Sequence, residues 1–265
     1  PGKRRRGTMI KIAVLGYGTV GSGVVEVVAR NAKLLRERAG EEIYIKYILD
    51  LRDFPGDPYE DRVIHDFGTI LNDPEISILC EVMGGVGAAY QFTKQALEAG
   101  KSVCTSNKEL VAKHGAEFLA IAKRMRCNYM FEASVAGGIP IIRPLSQCLA
   151  ANEILEIYGI LNGTTNYILT RMIRAGLSFD AALAEAQEKG YAERDPSADV
   201  DGHDACRKIC ILAAIAFGRH IYPEQVPTQG IAGVTLADVD YAESAGKKIK
   251  LLGRAIRRED GKVCA

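Results

Sequence analysis

Residues 10–21 read IKIAVLGYGTVG, and SGVVEVVARNAKLLRER follows at residues 22–38. The apolar run 10–15 suits a strand buried on both faces of a parallel sheet. Behind the glycines the apolar residues recur at helical spacing, which predicts one long helix. Strand, G-x-G-x-x-G and helix in that order are the setting in which a dinucleotide is held. Gly16 permits the tight turn, Gly18 lets a pyrophosphate approach the backbone, and Gly21 lets helix and strand pack closely. The helix start adds unpaired N–H groups. The glycines alone are a weak signal; their flanks carry the reading. The fold class that follows is α/β, a Rossmann-type doubly wound parallel sheet.

The next strand, IYIKYIL, ends at Asp50, with Arg52 and Asp53 just beyond. An acid there binds the ribose 2′-hydroxyl of NAD, whereas an arginine accepts the 2′-phosphate of NADP. Both are present, so the choice between NAD and NADP stays open. Residues 54–75 read as Pro- and Asp-rich loop with one short strand, DRVIHD, and ISILCEVMGG is the next buried strand. The helix AAYQFTKQALEAG, the strand of KSVCTS and the helix ELVAKHGAEFLAIAKRM follow. Ser106, Asn107 and Lys108 sit at that strand's carboxyl end, where open α/β sheets place ligand contacts. Helix capping beside a solvated lysine is the plainer account of the same three residues. NYMFEASVAGGIP then runs into a glycine-rich turn, whose Glu132 and carbonyls suit a hard cation.

Composition bounds the rest. The 265 residues are 48% hydrophobic and 25% charged, ample for the core of one large domain or two smaller ones. A net charge of +1 gives no reason to expect nucleic acid or an anionic membrane as partner. No apolar run approaches the roughly 18 residues of a membrane span. The seven cysteines are scattered without a C-x-x-C pair, which reads as reduced thiols in the cytoplasm. Residues 1–8, PGKRRRGT, form a basic tail expected to be disordered, with no apolar segment behind it to make a signal peptide. After Pro140 the character shifts. The expected division is residues 9–140 for the dinucleotide and residues 141–265 for an α+β substrate-binding and dimerisation domain. The last stretch, GKKIKLLGRAIRREDGKVCA, breaks off as a strand and turn form, so this second domain is expected to be C-terminally truncated.

In the second domain IIRPLSQCL reads as a helix and EILEIYGIL as a strand. NGTTNYILTRMIRAG opens a helix with Asn162, Thr164, Thr165 and Asn166 at its mouth. Polar groups there serve a bound carboxylate or simply cap the helix. LSFDAALAEAQEKG is a further helix, with Ser178 as N-cap and Gly190 as stop. Then comes GYAERDPSADVDGHDACRK, residues 190–208. Glu193, Asp195, Asp199, Asp201 and Asp204 precede a lysine inside an otherwise apolar helix. Pro196 and Gly202 predict a loop up to Asp204. An EF-hand counted from Ser197 fails, because its twelfth position is Lys208 rather than a glutamate. Asp204 and Lys208, four apart, share a helical face, and a surface ion pair is the plain alternative. Ile209, Ile211, Leu212 and Ile215 around the lysine favour a half-desolvated ammonium among carboxylates, a candidate proton donor or substrate clamp. Cys206 and Cys210, one turn apart on this helix, read as packing residues.

Taken in order, GYGTVG, SNKELVA, FEASVAGGIP, NGTTNYIL and GYAERDPSADVDGHDACRK resemble homoserine dehydrogenase from Met9 to the last residues. The final motif is long and specific to that family. The resemblance implies an oxidoreductase of threonine, methionine and isoleucine biosynthesis that interconverts L-aspartate 4-semialdehyde and L-homoserine with NAD(P)H. It implies Lys208 as proton donor with Asp199 and Asp204 supporting it, and Glu193 as the residue that binds the substrate's amino group. Lys108 corresponds to a second active-site lysine near nicotinamide and substrate. Gly18, Thr19 and Val20 correspond to the pyrophosphate loop, and Glu132 with the carbonyls of Val135, Gly137 and Ile139 to a sodium site. A homodimer or larger assembly is implied for the full-length protein. Family members continue beyond the present chain, many into a regulatory ACT domain. Dimer assembly, a complete cofactor pocket and threonine feedback are expected to need that further chain.

The chemistry agrees with the resemblance. Hydride delivered to an aldehyde carbon makes an alkoxide, which must be protonated or stabilised as charge develops. Acids around Lys208 raise its pKa and the apolar helix lowers it. Asn162 and Thr164 are the candidate donors for the substrate's carboxylate. A non-catalytic nucleotide-sensing Rossmann module is the competing reading, and it has no use for a proton donor. An aspartate-semialdehyde dehydrogenase would pair a nucleophilic cysteine with a histidine, and no cysteine here has a convincing partner.

Overall fold

The computed structural model describes residues 9–265; the basic tail 1–8, expected to be disordered, lies outside the described residues. The chain divides into two compact units, Pro1–Gly137 and Gly138–Ala265. That division falls three residues before the boundary expected at Pro140.

The first unit runs β1 (Ile10–Leu15), α1 (Thr19–Arg30), α2 (Ala32–Ala39), β2 (Ile43–Leu49), β3 (Val63–Ile64), α3 (Phe67–Asn72), β4 (Ile76–Glu81), α4 (Gly87–Glu98), β5 (Ser102–Thr105), α5 (Lys108–Met125) and β6 (Tyr129–Met130). Its strands form one six-stranded sheet in the order β3-β2-β1-β4-β5-β6, with all neighbouring pairs parallel. The order reverses direction between β1 and β4, and crevices for ligands open at such a switch point. β1 lies between two strands and is covered on both faces, so Ala13, Val14 and Leu15 are fully buried. Ile12 and Val14 of β1 pack with Val25 of α1 and with Ile45 and Ile48 of β2. Each such aliphatic side chain contributes about 1.5–3 kcal/mol on burial.

Two local expectations change here. The long helix expected over residues 22–38 is two helices that share Asn31 as cap, at φ −104° and ψ 20°. The Asn31 side-chain amide donates to the Val27 carbonyl at 3.2 Å, the local competition with the backbone that makes asparagine a helix breaker. The loop expected over residues 54–75 contains α3, whose N-cap Asp66 accepts from the N–H groups of Gly68 and Thr69 at 3.0 Å each. Six residues are too few to show helical periodicity, and the capping aspartate is the signal that marks the helix.

The second unit runs β7 (Glu156–Gly159), α6 (Gly163–Ala175), α7 (Phe179–Glu188), α8 (Ser197–Val200), α9 (His203–Phe217), α10 (Leu236–Ser244), β8 (Gly253–Arg257) and β9 (Val263–Cys264). Its strands form an antiparallel sheet in the order β7-β8-β9. Ile168, Leu169 and Met172 of α6 pack against Ala182 and Ala186 of α7 and Val239 of α10. On the other side Ile209, Ala213 and Phe217 of α9 cover Ala255 of β8. IIRPLSQCL holds a five-residue π-type turn, Pro144–Cys148, in place of the expected α-helix. Pro144 brings no N–H to a helical ladder. The acidic stretch, expected to be loop throughout, folds into α8 directly after Pro196, because proline tolerates the start of a helix. No helix among the described residues is long and apolar enough to cross a membrane.

Candidate active site

The turn after β1 behaves as its glycines require. Gly16 sits at φ +96°, and a Cβ there would meet the Met83 N–H and the Val82 carbonyl at 3.2 Å. A Cβ on Gly21 would lie 1.9 Å from the Gly16 carbonyl oxygen, so only glycine lets α1 come this close to the turn. Gly18 is the opposite case, with nothing within 4 Å of the same position. Space is therefore open where a pyrophosphate would approach, at the start of a helix whose first turn, from Thr19 and Val20, carries no acidic residue. These residues fit a dinucleotide.

The strand-end acid and arginine are joined to that turn and to each other. Asp50 accepts from the Tyr17 N–H at 2.8 Å and from the Arg52 N–H at 3.0 Å. It also takes a forked pair of bonds from the Arg52 guanidinium at 2.9 and 3.1 Å. This cation holds the Asp50 carboxyl far below the usual carboxylate range. The guanidinium also lies over the Phe54 ring, 5.0 Å from its centroid. Tyr17 is buried, and its hydroxyl donates to Asp57 at 3.1 Å. Burial and that aspartate push the phenol up to about 12. At the carboxyl end of β5, Asn107 caps α5 by accepting from the Leu110 N–H at 3.1 Å. The capping account is thus correct for Asn107, while Ser106 and Lys108 flank it on the same half-buried turn.

In the second unit the acidic stretch and its lysine come together as a cluster. Lys208 donates to Asp204 at 2.8 Å, with side-chain exposures of 15% and 4%. It also donates to the Leu161 carbonyl at 2.9 Å. The amide of Asn162 bridges two acids, donating to Asp199 at 2.6 Å and to Asp204 at 2.9 Å. Its oxygen accepts from the Thr165 N–H at 2.8 Å and the Thr165 hydroxyl at 2.9 Å. Both donors and both lone pairs of this amide are thereby used. Asn162 accordingly braces carboxylates instead of offering itself to a substrate. The Thr164 hydroxyl donates to the Tyr191 carbonyl at 2.7 Å, so its proton is spent inside the protein as well. Glu193 is exposed on the segment between α7 and α8. Cys206 and Cys210 are buried in α9, in keeping with packing.

Sequence reasoning missed the Leu161 carbonyl and the bridging role of Asn162. A backbone acceptor has no residue signature, and a capping asparagine looks the same whether or not its amide reaches further. It also passed over Glu81, a carboxylate fully buried at the end of β4. The residues of the expected cation site lie at 132–139. Glu132 is in a short 3₁₀ turn, Val135 is buried, Gly137 has φ +58°, and Ile139 is 70% exposed. One carboxylate with backbone carbonyls is an all-oxygen set, the donor chemistry of a hard cation.

Residues 16–132 match the family described as "Homoserine dehydrogenase, NAD binding domain". Residues 140–264 match the one described as "Homoserine dehydrogenase". The chain belongs to the homoserine dehydrogenase family. Its first unit is accordingly a nicotinamide-dinucleotide-binding domain. The homoserine dehydrogenase of Pseudomonas aeruginosa is 43% identical over 95% of this chain and 58% of its own length. A crystal structure of a homoserine dehydrogenase from Thiobacillus denitrificans superposes with a TM-score of 0.89 at 44% identity, over 95% of this chain and 59% of that one. A hyperthermophilic archaeal homoserine dehydrogenase in complex with NADPH gives a TM-score of 0.79 at 27% identity, over 97% of this chain and 81% of that one. The chain spans only 58–60% of the length of the first curated family members it matches.

Proposed function

We propose that the chain carries the nucleotide-binding and proton-donating parts of a dehydrogenase that interconverts L-aspartate 4-semialdehyde and L-homoserine with NAD(P)H. The observation that supports this most is the ammonium of Lys208, nearly buried against Asp204 and the Leu161 carbonyl. An ammonium has three N–H donors, and these two partners leave a third for a substrate oxygen. A nicotinamide held by the glycine turn would supply the hydride. Lys208 gives its proton to the oxygen on which negative charge develops. Asp204 holds the lysine on its helix face. Asn162 keeps Asp204 and Asp199 in register, so the lysine returns to one position after each turnover. In the reverse direction the neutral amine takes the hydroxyl proton of homoserine. Glu193 pairs with the substrate's ammonium.

Arg52 fits a cofactor that bears a 2′-phosphate. The lone pairs of Asp50 are occupied by Tyr17 and Arg52, while the arginine side chain is 63% exposed. NADP is thus favoured over NAD. Lys108 and Ser106 serve the nicotinamide end. Glu132 and the carbonyls of Val135, Gly137 and Ile139 hold a sodium ion that stiffens their loop. Association of the full-length protein uses the second unit, where Tyr158 of β7 and Ile160 just after it are 68% and 45% exposed. The test is homoserine-dependent reduction of NADP⁺ and NAD⁺, run on this chain beside a version of the full family length. The expected result is turnover in the longer protein, faster with NADP⁺. A longer protein that binds NADPH yet leaves homoserine untouched overturns the reading.

A further inference from the structure

We propose that Glu81 is a positioning residue, whose buried carboxylate fixes, through Thr105 and Asn107, the loop after β4 and the first turn of α5. Ser106 lies just before that turn and Lys108 begins it, and the inference rests on the reading above that they serve the nicotinamide end of the cofactor. Glu81 is the last residue of β4 and the register partner of Thr105, the last residue of β5. Its exposure is 0%. Both strand ends are at the edge where an open parallel sheet holds ligands.

The bonds form a directed chain. The Thr105 hydroxyl donates to one Glu81 oxygen at 2.5 Å, and the Met83 N–H donates to the other at 2.9 Å. The Asn107 N–H donates to the Thr105 oxygen at 2.9 Å. That donor directs the hydroxyl proton toward Glu81. The Asn107 amide then donates to the Gly85 carbonyl at 2.6 Å, and its oxygen caps α5. Loop 82–85, β5 and the start of α5 are thus tied to a single carboxylate.

These are neutral donors. Burying a carboxylate against neutral partners costs more than burying an aliphatic side chain of the same size. A strand end needed only for packing would be cheaper to fill with leucine or isoleucine, as the start and middle of β4 are with Ile76 and Leu79. What the carboxylate adds is direction: two acceptors aimed along two different segments, which no apolar residue supplies. Burial also pushes the Glu81 carboxyl above its usual range, opposed by its hydrogen-bond donors.

Glu81→Gln keeps the shape but removes the charge: with its oxygen on the Met83 N–H, its amide N–H faces the Thr105 oxygen, whose hydroxyl proton then has no acceptor on residue 81, so the charge-assisted tie is lost without a cavity. In the full-length protein, fluorescence titration of the variant should raise the Kd for NADPH about tenfold. The Kd for adenosine 2′,5′-bisphosphate, which carries no nicotinamide, should stay within about twofold, because that fragment reads only the glycine turn and Arg52. Thr105→Val should reproduce the split, and the double variant should be no worse than either single one. Equal weakening of both ligands, no change in either, or additive losses each overturn the proposal. If Glu81→Gln does not fold, as judged by its melting curve, Thr105→Val alone carries the comparison. Both titrations read binding, so they remain decisive even if the protein proves inactive on homoserine.

Discussion

The glycine turn after β1 and the acidic segment before α9 solve opposite problems. The first makes room for a large anion and offers it backbone N–H groups; what matters there is the absence of side chains. The second buries a positive charge and must supply side chains that neutralise and aim it. A missing side chain is visible in the residue itself, at Gly16, Gly18 and Gly21. A satisfied charge is visible only once its partners are assembled. Lys208 meets Asp204 within its own helix, but Leu161 and Asn162 arrive from more than forty residues away. The lesson is that a glycine turn is specified locally, whereas the partners of a half-buried lysine are specified by packing.

The strongest way to break the comparison is Lys208→Ala. It should lower homoserine oxidation by about 10³-fold or more, in the range lost with a general acid or base. NADPH binding, measured by fluorescence titration, should change less than twofold, since the glycine turn is left whole. Loss of both together would mean that the two regions are not separable. The same variant leaves Asp204 buried without its ammonium, at a cost of about 3–5 kcal/mol, and a lowered melting temperature should report it.

Gly21→Ala attacks the other side. The added carbon would overlap the Gly16 carbonyl, so the turn must open. NADPH affinity should fall roughly a hundredfold, equivalent to about 2.7 kcal/mol. A titration curve matching the parent protein would show that the close approach is not what shapes the site.

Asn162→Ala sharpens the comparison by removing the brace while keeping every charge. With Asp199 and Asp204 no longer tied, kcat should drop roughly tenfold at unchanged NADPH affinity, the scale of a lost buried hydrogen bond to a charged group. Stopped-flow single turnovers that match the parent would remove Asn162 from the catalytic cluster. The smallest effect is expected from Glu193→Gln. It should raise the KM for the semialdehyde several-fold, and kcat less, as befits an exposed ion pair with substrate. An unaltered KM would take Glu193 out of the substrate's reach.

Particular elements show where sequence reading reached and where it stopped. The β1–turn–α1 unit was legible because period, length and glycine spacing all agree over a short stretch. The break at Asn31 was not, since apolar spacing continues across it and a single side chain decides the matter. α3 and α8 were passed over because each is at most six residues long, so their stability comes from caps and neighbours and not from an amphipathic pattern. The pairing of Asp204 with Lys208 followed from helical spacing, and its burial from the isoleucines around it. The spending of Asn162 and Thr164 inside the protein did not follow, because a hydroxyl or amide at a helix mouth reads the same whether its partner is a ligand or a carbonyl.

By itself, the sequence determined the parallel nucleotide-binding fold, the family motifs and the helix that carries Lys208. Each depends on neighbours a few residues apart, where chain geometry is nearly invariant. Only the tertiary structure decided that the Leu161 carbonyl joins Asp204 on Lys208, that Asn162 bridges Asp199 and Asp204, and that Glu81 ties two strand ends together. Those contacts pair residues 24 to 47 positions apart, and whether a buried charge is stabilised or stranded depends on the partners that packing brings to it.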